Sequence, residues 1–375
     1  MKTGSISEMV LNRSVVKHIA KNKKITEGGA AAGNDAALLD IREDAHLTVA
    51  EGYCDSAELP KDNDIVAVVP NQRGAYSGNA GNNGIVTGLS SLEMAYIRAC
   101  NNIYTAGGKP QFISVRLTLG TKVKEGVVRK MMNDLTELTA ACGIFIIGGD
   151  TKISEAMQPE EYTASVTAFS CIKNKTSGGV ENGSIFSKNR CGEKIVPGDR
   201  LIVAGYAGLY GAAVLRERHK EELKDMLPES YLDKIRINDK SVLSIEKAAE
   251  AAYRSGAKRV HDASFGGIYA AIYQIAEAAG LGARVKHECI PIKQETIELS
   301  ERLGINPYLL CSTGALVIAA SPDRTDSVVN SIKAHTGLLA YDAGEFTREK
   351  LKCIVSDIYL INRKLDMPDG DEMFK

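Results

Sequence analysis

Apolar residues recur at three- and four-residue steps across residues 87–106, where Leu92, Ala95, Tyr96, Ala99, Cys100 and Ile103 share one side of a helix. Gly107 and Gly108 then stop it. Residues 112–119 alternate and predict a strand, whereas Val127, Val128, Met131, Leu135 and Leu138 restore the helical period over 124–142. The apolar run 144–147 reads as a short buried strand, and a further strand follows over 162–172. Between 173 and 194 both periods vanish into Gly, Ser and Asn, and Val-Pro-Gly-Asp at 196–199 closes the gap before a strand at 200–204. A domain boundary fits there, giving an N-terminal domain over 1–190 and a C-terminal domain over 191–375. The second half repeats the alternation, with helices at 209–219, 240–255, 268–279 and 324–336 and a strand at 315–320. Both halves therefore predict a mixed α/β fold, helices laid over a sheet.

The length of 375 residues agrees, since one hydrophobic core usually serves ~100–200 residues. A formal net charge of −1 provides no global field for nucleic acid or an anionic membrane, so an anionic ligand needs a local site. Neither a long apolar stretch nor a leader pattern is present, which makes the expectation a cytoplasmic protein. Eight scattered cysteines form no C-x-x-C pair and read as reduced packing residues. Residues 71–88, rich in Gly and Asn, lack any apolar period and suit either a solvated insertion or an anion-binding lid.

Four segments carry candidate chemistry. Gly33-Asn34-Asp35 follows glycines and precedes an apolar run, so the backbone could approach a phosphate while Asp35 holds a cation. Gly148-Gly149-Asp150-Thr151-Lys152 follows the run 144–147, where the carboxyl end of a strand would present a carboxylate, a hydroxyl and an ammonium to a ligand. The alternative there is a turn in which Asp150 caps amides. His261 to Gly267 precedes a helix whose free amides could bind an anion, although Ser264 or Asp262 could equally cap it. Cys311 to Ala315 leads into a strand and could place small polar groups in a cleft. The six histidines show no metal-ligand spacing, and no nucleophile elbow can be assembled.

In this order the segments resemble the aminoimidazole ribonucleotide synthetase (AIR synthase)-like superfamily. Residues 33–39 resemble its G-D-D-A-A segment, residues 99–110 with Asn101 and Asn102 its V-N-D helix, and Gly148 to Lys152 its G-G-D-T; Asp262, Gly266 and Gly267 follow in the second half. Among its branches the hydrogenase-maturation dehydratase looks nearest, through Lys152 and through Asp262 to Gly267, but that branch's C-terminal cysteine is missing, which argues against its dehydration chemistry. The resemblance implies a two-domain fold whose N-terminal domain forms a dimeric barrel, and a homodimer that binds ATP. It also implies Mg2+ at Asp35, Glu51 and Asp150, with Asp150 and Lys152 catalytic in phosphoryl transfer to a small molecule or a partner-borne group. Against that, the first Asp of the family's G-D-D reads Asn34 here, its Thr-Asp pair reads Ala50-Glu51 and its Asn-Asp pair Asn101-Asn102, and amides cannot supply the charge that holds Mg2+. A non-catalytic nucleotide-binding regulator or scaffold is the second expectation.

Overall fold

The computed structural model describes residues 25–28, 37–42, 45–55, 89–173, 193–356, 358 and 361–375. The expected loop at 71–88, the triplet Gly33, Asn34 and Asp35, and the boundary at 190/191 lie outside the described residues.

The N-terminal domain begins with β1 (Ile25–Gly28), β2 (Ala37–Arg42) and β3 (Ala45–Asp55) and continues with helix α1 (Ser91–Thr105). Strand β4 (Phe112–Leu119), helix α2 (Glu125–Ala141) and strands β5 (Phe145–Ile153) and β6 (Tyr162–Lys173) complete it. The six strands lie in the order β1-β2-β3-β6-β4-β5, and only β4 and β5 run parallel.

Helix α1 starts where Ser90 and Glu93 form a capping box, each side chain meeting the other's backbone amide. It then lies so close on β3 that a Cβ at Gly52 would stand 2.0 Å from the Ala95 carbonyl oxygen and 2.4 Å from the Ala99 nitrogen. The spacing predicted one apolar side, yet fourteen of its fifteen residues are buried. Its polar side does not face water: it meets the second domain. Asn101 donates to the Leu243 carbonyl at 2.9 Å and accepts from the Ile245 amide at 3.1 Å. Buried Glu93 pairs with Lys240 at 2.7 Å.

The C-terminal domain contains β7 (Arg200–Ala204), α3 (Leu209–Arg218), α4 (Lys220–Met226), α5 (Glu229–Ile235), α6 (Glu246–Arg254), β8 (Ala257–Ala263) and α7 (Gly267–Ala278). Then come β9 (Gly282–Lys286), α8 (Gln294–Leu303), β10 (Ala315–Ala320), α9 (Thr325–Thr336), β11 (Ala340–Thr347), β12 (Lys352–Ser356) and β13 (Ile361–Lys364). Seven strands form one sheet, ordered β13-β12-β9-β11-β7-β10-β8. Alternate residues separate two cores. Ile202, Ala204, Leu316 and Ile318 join a core shared with the N-terminal domain, while Leu201, Val203, Ala315 and Val317 join another around α7. Burial on both faces explains why β7 and β10 read as unbroken apolar runs.

Candidate functional site

The N-terminal sheet carries its helices on one face, so the other face of β3, β6, β4 and β5 is free to form a site. Register places Glu51, Thr167 and Ser114 in one row across β3, β6 and β4. The next row along is Tyr53, Ser165, Arg116 and Asp150. Between them lies a cleft of about 210 Å³ lined by Glu51, Ser114, Arg116, Asp150, Ser165 and Thr167. It holds two carboxylates, a guanidinium and three hydroxyls. Thr167 donates its hydroxyl to Glu51 Oε1 at 3.1 Å, and Lys152, two residues beyond Asp150 on β5, pairs with Asp150 Oδ2 at 3.2 Å.

Gly148 to Lys152 does not form the expected loop beyond a short strand. β5 continues to Ile153, and all five residues pair with β4, Gly148 opposite Ser114 through to Lys152 opposite Thr118. One extra residue, Ile147, is accommodated where the register shifts, a bulge that re-aims the side chains after it. Gly149 is required by proximity, because a Cβ there would meet the Val115 carbonyl oxygen at 1.9 Å. Thr151 and Lys152 are exposed along this strand.

The other expected site residues fall elsewhere. Asn101 is consumed by the domain seam, and Asn102 donates to the Glu51 carbonyl at 2.9 Å, tethering β3 beneath the cleft. Asp262 is buried on β8, and Gly266 and Gly267 open α7 with φ of 76° and 67°. The amides expected to bind an anion there meet one of the chain's own. Asp371 accepts from the amides of Gly266, Cys311 and Met373 at 2.8, 3.2 and 2.8 Å. Burial pushes its carboxyl up to about 6, against the downward pull of those amides and of Arg98. Arg98, buried on α1, donates to the Tyr53 carbonyl at 2.6 Å, stacks over Phe265 at 4.2 Å and points at the Cys311 sulfur at 3.9 Å. Burial pushes the Cys311 thiol up to about 11, so it is a packing thiol.

Of the expected Mg2+ ligands Asp35, Glu51 and Asp150, the first lies outside the described residues, and the other two do not converge on one point. Glu51 and Asp150 stand on strands three spacings apart, roughly 14 Å at ~4.8 Å each, whereas carboxylates sharing one Mg2+ must bring oxygens within about 2.1 Å of it. Among the described residues no three His, Cys, Asp or Glu side chains gather to hold a metal. Sequence reasoning also missed Ser114, Arg116, Ser165 and Thr167, although the alternation of Ser114, Arg116 and Thr118 in β4 marks a polar face.

Residues 93–172 match the family described as AIR synthase related protein, N-terminal domain, and residues 196–356 match its C-terminal domain. The chain is 24% identical over 286 residues to carbamoyl dehydratase HypE of Escherichia coli, covering 75% of this chain and 77% of that protein. In structure it is similar to HypE in its complex with HypF, with a TM-score of 0.68, 20% identity and coverage of 96% of this chain and 99% of the other. It is also similar to the hydrogenase maturation protein HypE in complex with ATP, with a TM-score of 0.64, 15% identity and coverage of 98% and 96%.

Proposed function

We infer that this chain, which belongs to the AIR synthase related protein family, binds ATP at the cleft of its N-terminal sheet and uses it to activate an oxygen on a small molecule or on a group carried by a partner protein. The carrying observation is that cleft, where carboxylate, cation and hydroxyl side chains from four strands face one shared space. Phosphoryl transfer asks a protein mainly to position its reactants and to neutralise charge, and these groups can do both. In this reading Lys152 meets phosphate oxygens and Asp150 orients the attacking group. A dehydratase relative is compatible with it, because ATP-driven removal of water from an amide begins by moving the γ-phosphoryl group to the amide oxygen. The solved structures of HypE with ATP and with HypF support a nucleotide ligand and a protein partner. Calorimetry with ATP, followed by phosphate release under single-turnover conditions, tests the assignment. Asp150→Asn is expected to retain binding and to lower turnover at least ~100-fold; undiminished turnover in that variant overturns it.

A second reading, a nucleotide-binding homodimer without turnover, is favoured by Asn102, which stands where the resemblance implies an aspartate. Asn101 is spent on the domain seam, and Asn102 serves as a donor to the Glu51 carbonyl, a bond that an aspartate cannot make. ATP binding with no phosphate release from the unmodified protein selects this reading.

A further inference from the structure

We propose that Arg116 is a phosphate-binding residue at the centre of the cleft, and that its guanidinium supplies the charge neutralisation a divalent cation would otherwise provide, so that a polyphosphate chain binds without metal. The proposal rests on the reading of the cleft as a nucleotide site and names the group that holds the ligand there.

Arg116 sits at the centre of the polar rows, opposite Ser165 on β6 and Asp150 on β5, with Ser114 two residues before it on the same face. Among the described residues no carboxylate pairs with it. Asp150, its cross-strand neighbour, is taken by Lys152 instead. A guanidinium in a cleft without a counter-ion is placed to accept one, and its planar fork matches two oxygens of a tetrahedral phosphate. The hydroxyls divide in the same sense. Thr167 commits its proton to Glu51, which leaves Ser114 and Ser165 beside Arg116 as donors for a bound oxyanion. Of the two carboxylates that would repel an anion, Asp150 is offset by Lys152, and Glu51 lies two strand spacings from Arg116, roughly 10 Å.

The same residues argue against a metal-dependent mode. Position 102 provides an amide whose donor is already bonded to a carbonyl oxygen, and Glu51 and Asp150 are too far apart to share an ion. Among the described residues the charge on the phosphates is therefore met by side-chain cations, and Arg116 is the one at the cleft's centre.

The test is calorimetric titration of the full chain with ATP and with inorganic tripolyphosphate, each in Mg2+ and in EDTA, for the unmodified protein, Arg116→Ala and Arg116→Lys. The unmodified protein is expected to bind both ligands in EDTA within about threefold of its affinity in Mg2+. Arg116→Ala should weaken both at least ~10-fold, and Arg116→Lys should fall between, keeping charge but losing the fork. Arg116 is exposed on the sheet surface, so thermal unfolding of the variants should match that of the parent. Binding that disappears in EDTA, or that is unchanged in Arg116→Ala, overturns the proposal while leaving nucleotide binding intact. Arg116-dependent binding of tripolyphosphate with ATP no tighter sustains Arg116 and removes the nucleotide reading. Absence of binding by either ligand overturns both.

Discussion

At the scale of single residues, the paired amides Asn101 and Asn102 are both committed to backbone partners. Asn101 has both ends of its side chain committed across the domain seam, to the Leu243 carbonyl and the Ile245 amide. Replacing it by aspartate would leave an acceptor facing the Leu243 carbonyl and bury a charge. Asn101→Asp should therefore cost about 3 kcal/mol, read as a lower urea midpoint with unchanged slope. Asp371 makes a prediction of opposite character, about pH. Its docked carboxyl is pushed up to about 6 by burial, above the ~3.9 of a free aspartate. The docked form thus holds a proton over a window in which the free form has lost it. Docking of the C-terminal segment is strongest below about pH 4, weakens as pH rises towards about 6 and is flat beyond. The charged and titratable groups facing Asp371 include Arg98 and the Cys311 thiol. Labelling of buried Cys311 by a thiol reagent should accelerate across that window after correction for thiolate fraction. Asp371→Asn should abolish the dependence.

At the scale of elements, α1 is the piece that joins the two domains, and two substitutions probe its seating. Ser90→Ala removes one half of the capping box and should lower stability by about 1 kcal/mol in chemical denaturation. Gly52→Ala is expected to be far worse, because the new methyl meets helix backbone on α1 rather than a side chain that could turn away. Its expected outcome is loss of soluble, cooperatively unfolding protein. The helix was legible from its apolar spacing, as were β4, β7, β10, α7 and α9, all of which have strong periods. The fate of its polar side was not, since a hydrophobic pattern cannot distinguish residues facing water from Glu93, Arg98 and Asn101 facing another domain. β5 was cut short in the reading for a similar reason: Gly-Gly-Asp has the composition of a turn, and only the neighbouring Val115 carbonyl explains why glycine belongs inside a strand. Within the site, Asp150 was visible because its motif is local. Arg116 stood out from nothing else in its strand, and only register sets it beside Asp150 and Ser165. The bond from the Gly266 amide to Asp371 was beyond reach, since 105 residues separate the two.

At the scale of the whole molecule, the N-terminal sheet is covered by helices on one face only, and its other face carries exposed apolar residues beside the polar cleft. Tyr53 is 47% exposed, Phe145 66% and Ile147 60%. Phe145 packs its ring against Phe112 at 6.3 Å, in the row next to the polar cleft. Strand β5 also ends the sheet with an unpaired edge among the described residues, a feature that invites another strand. A second copy of this chain would cover both, and a two-fold arrangement has a further chemical consequence. It lays the cleft of one copy against the same sheet face of the other, so that residues of both copies can meet one ligand. Dimerisation and ligand binding should then be linked, ATP strengthening the dimer by the same factor by which the dimer strengthens ATP binding. Light scattering at micromolar concentration is expected to give twice the chain mass of 40.3 kDa. The double substitution Phe145→Lys with Ile147→Lys places two charges on the apolar part of the face without touching Arg116, Asp150 or the hydroxyls. It should yield a folded monomer whose ATP affinity falls together with its dimerisation. A monomeric parent protein removes the dimer, whereas a monomeric variant with undiminished ATP affinity keeps the dimer but confines the site to one chain.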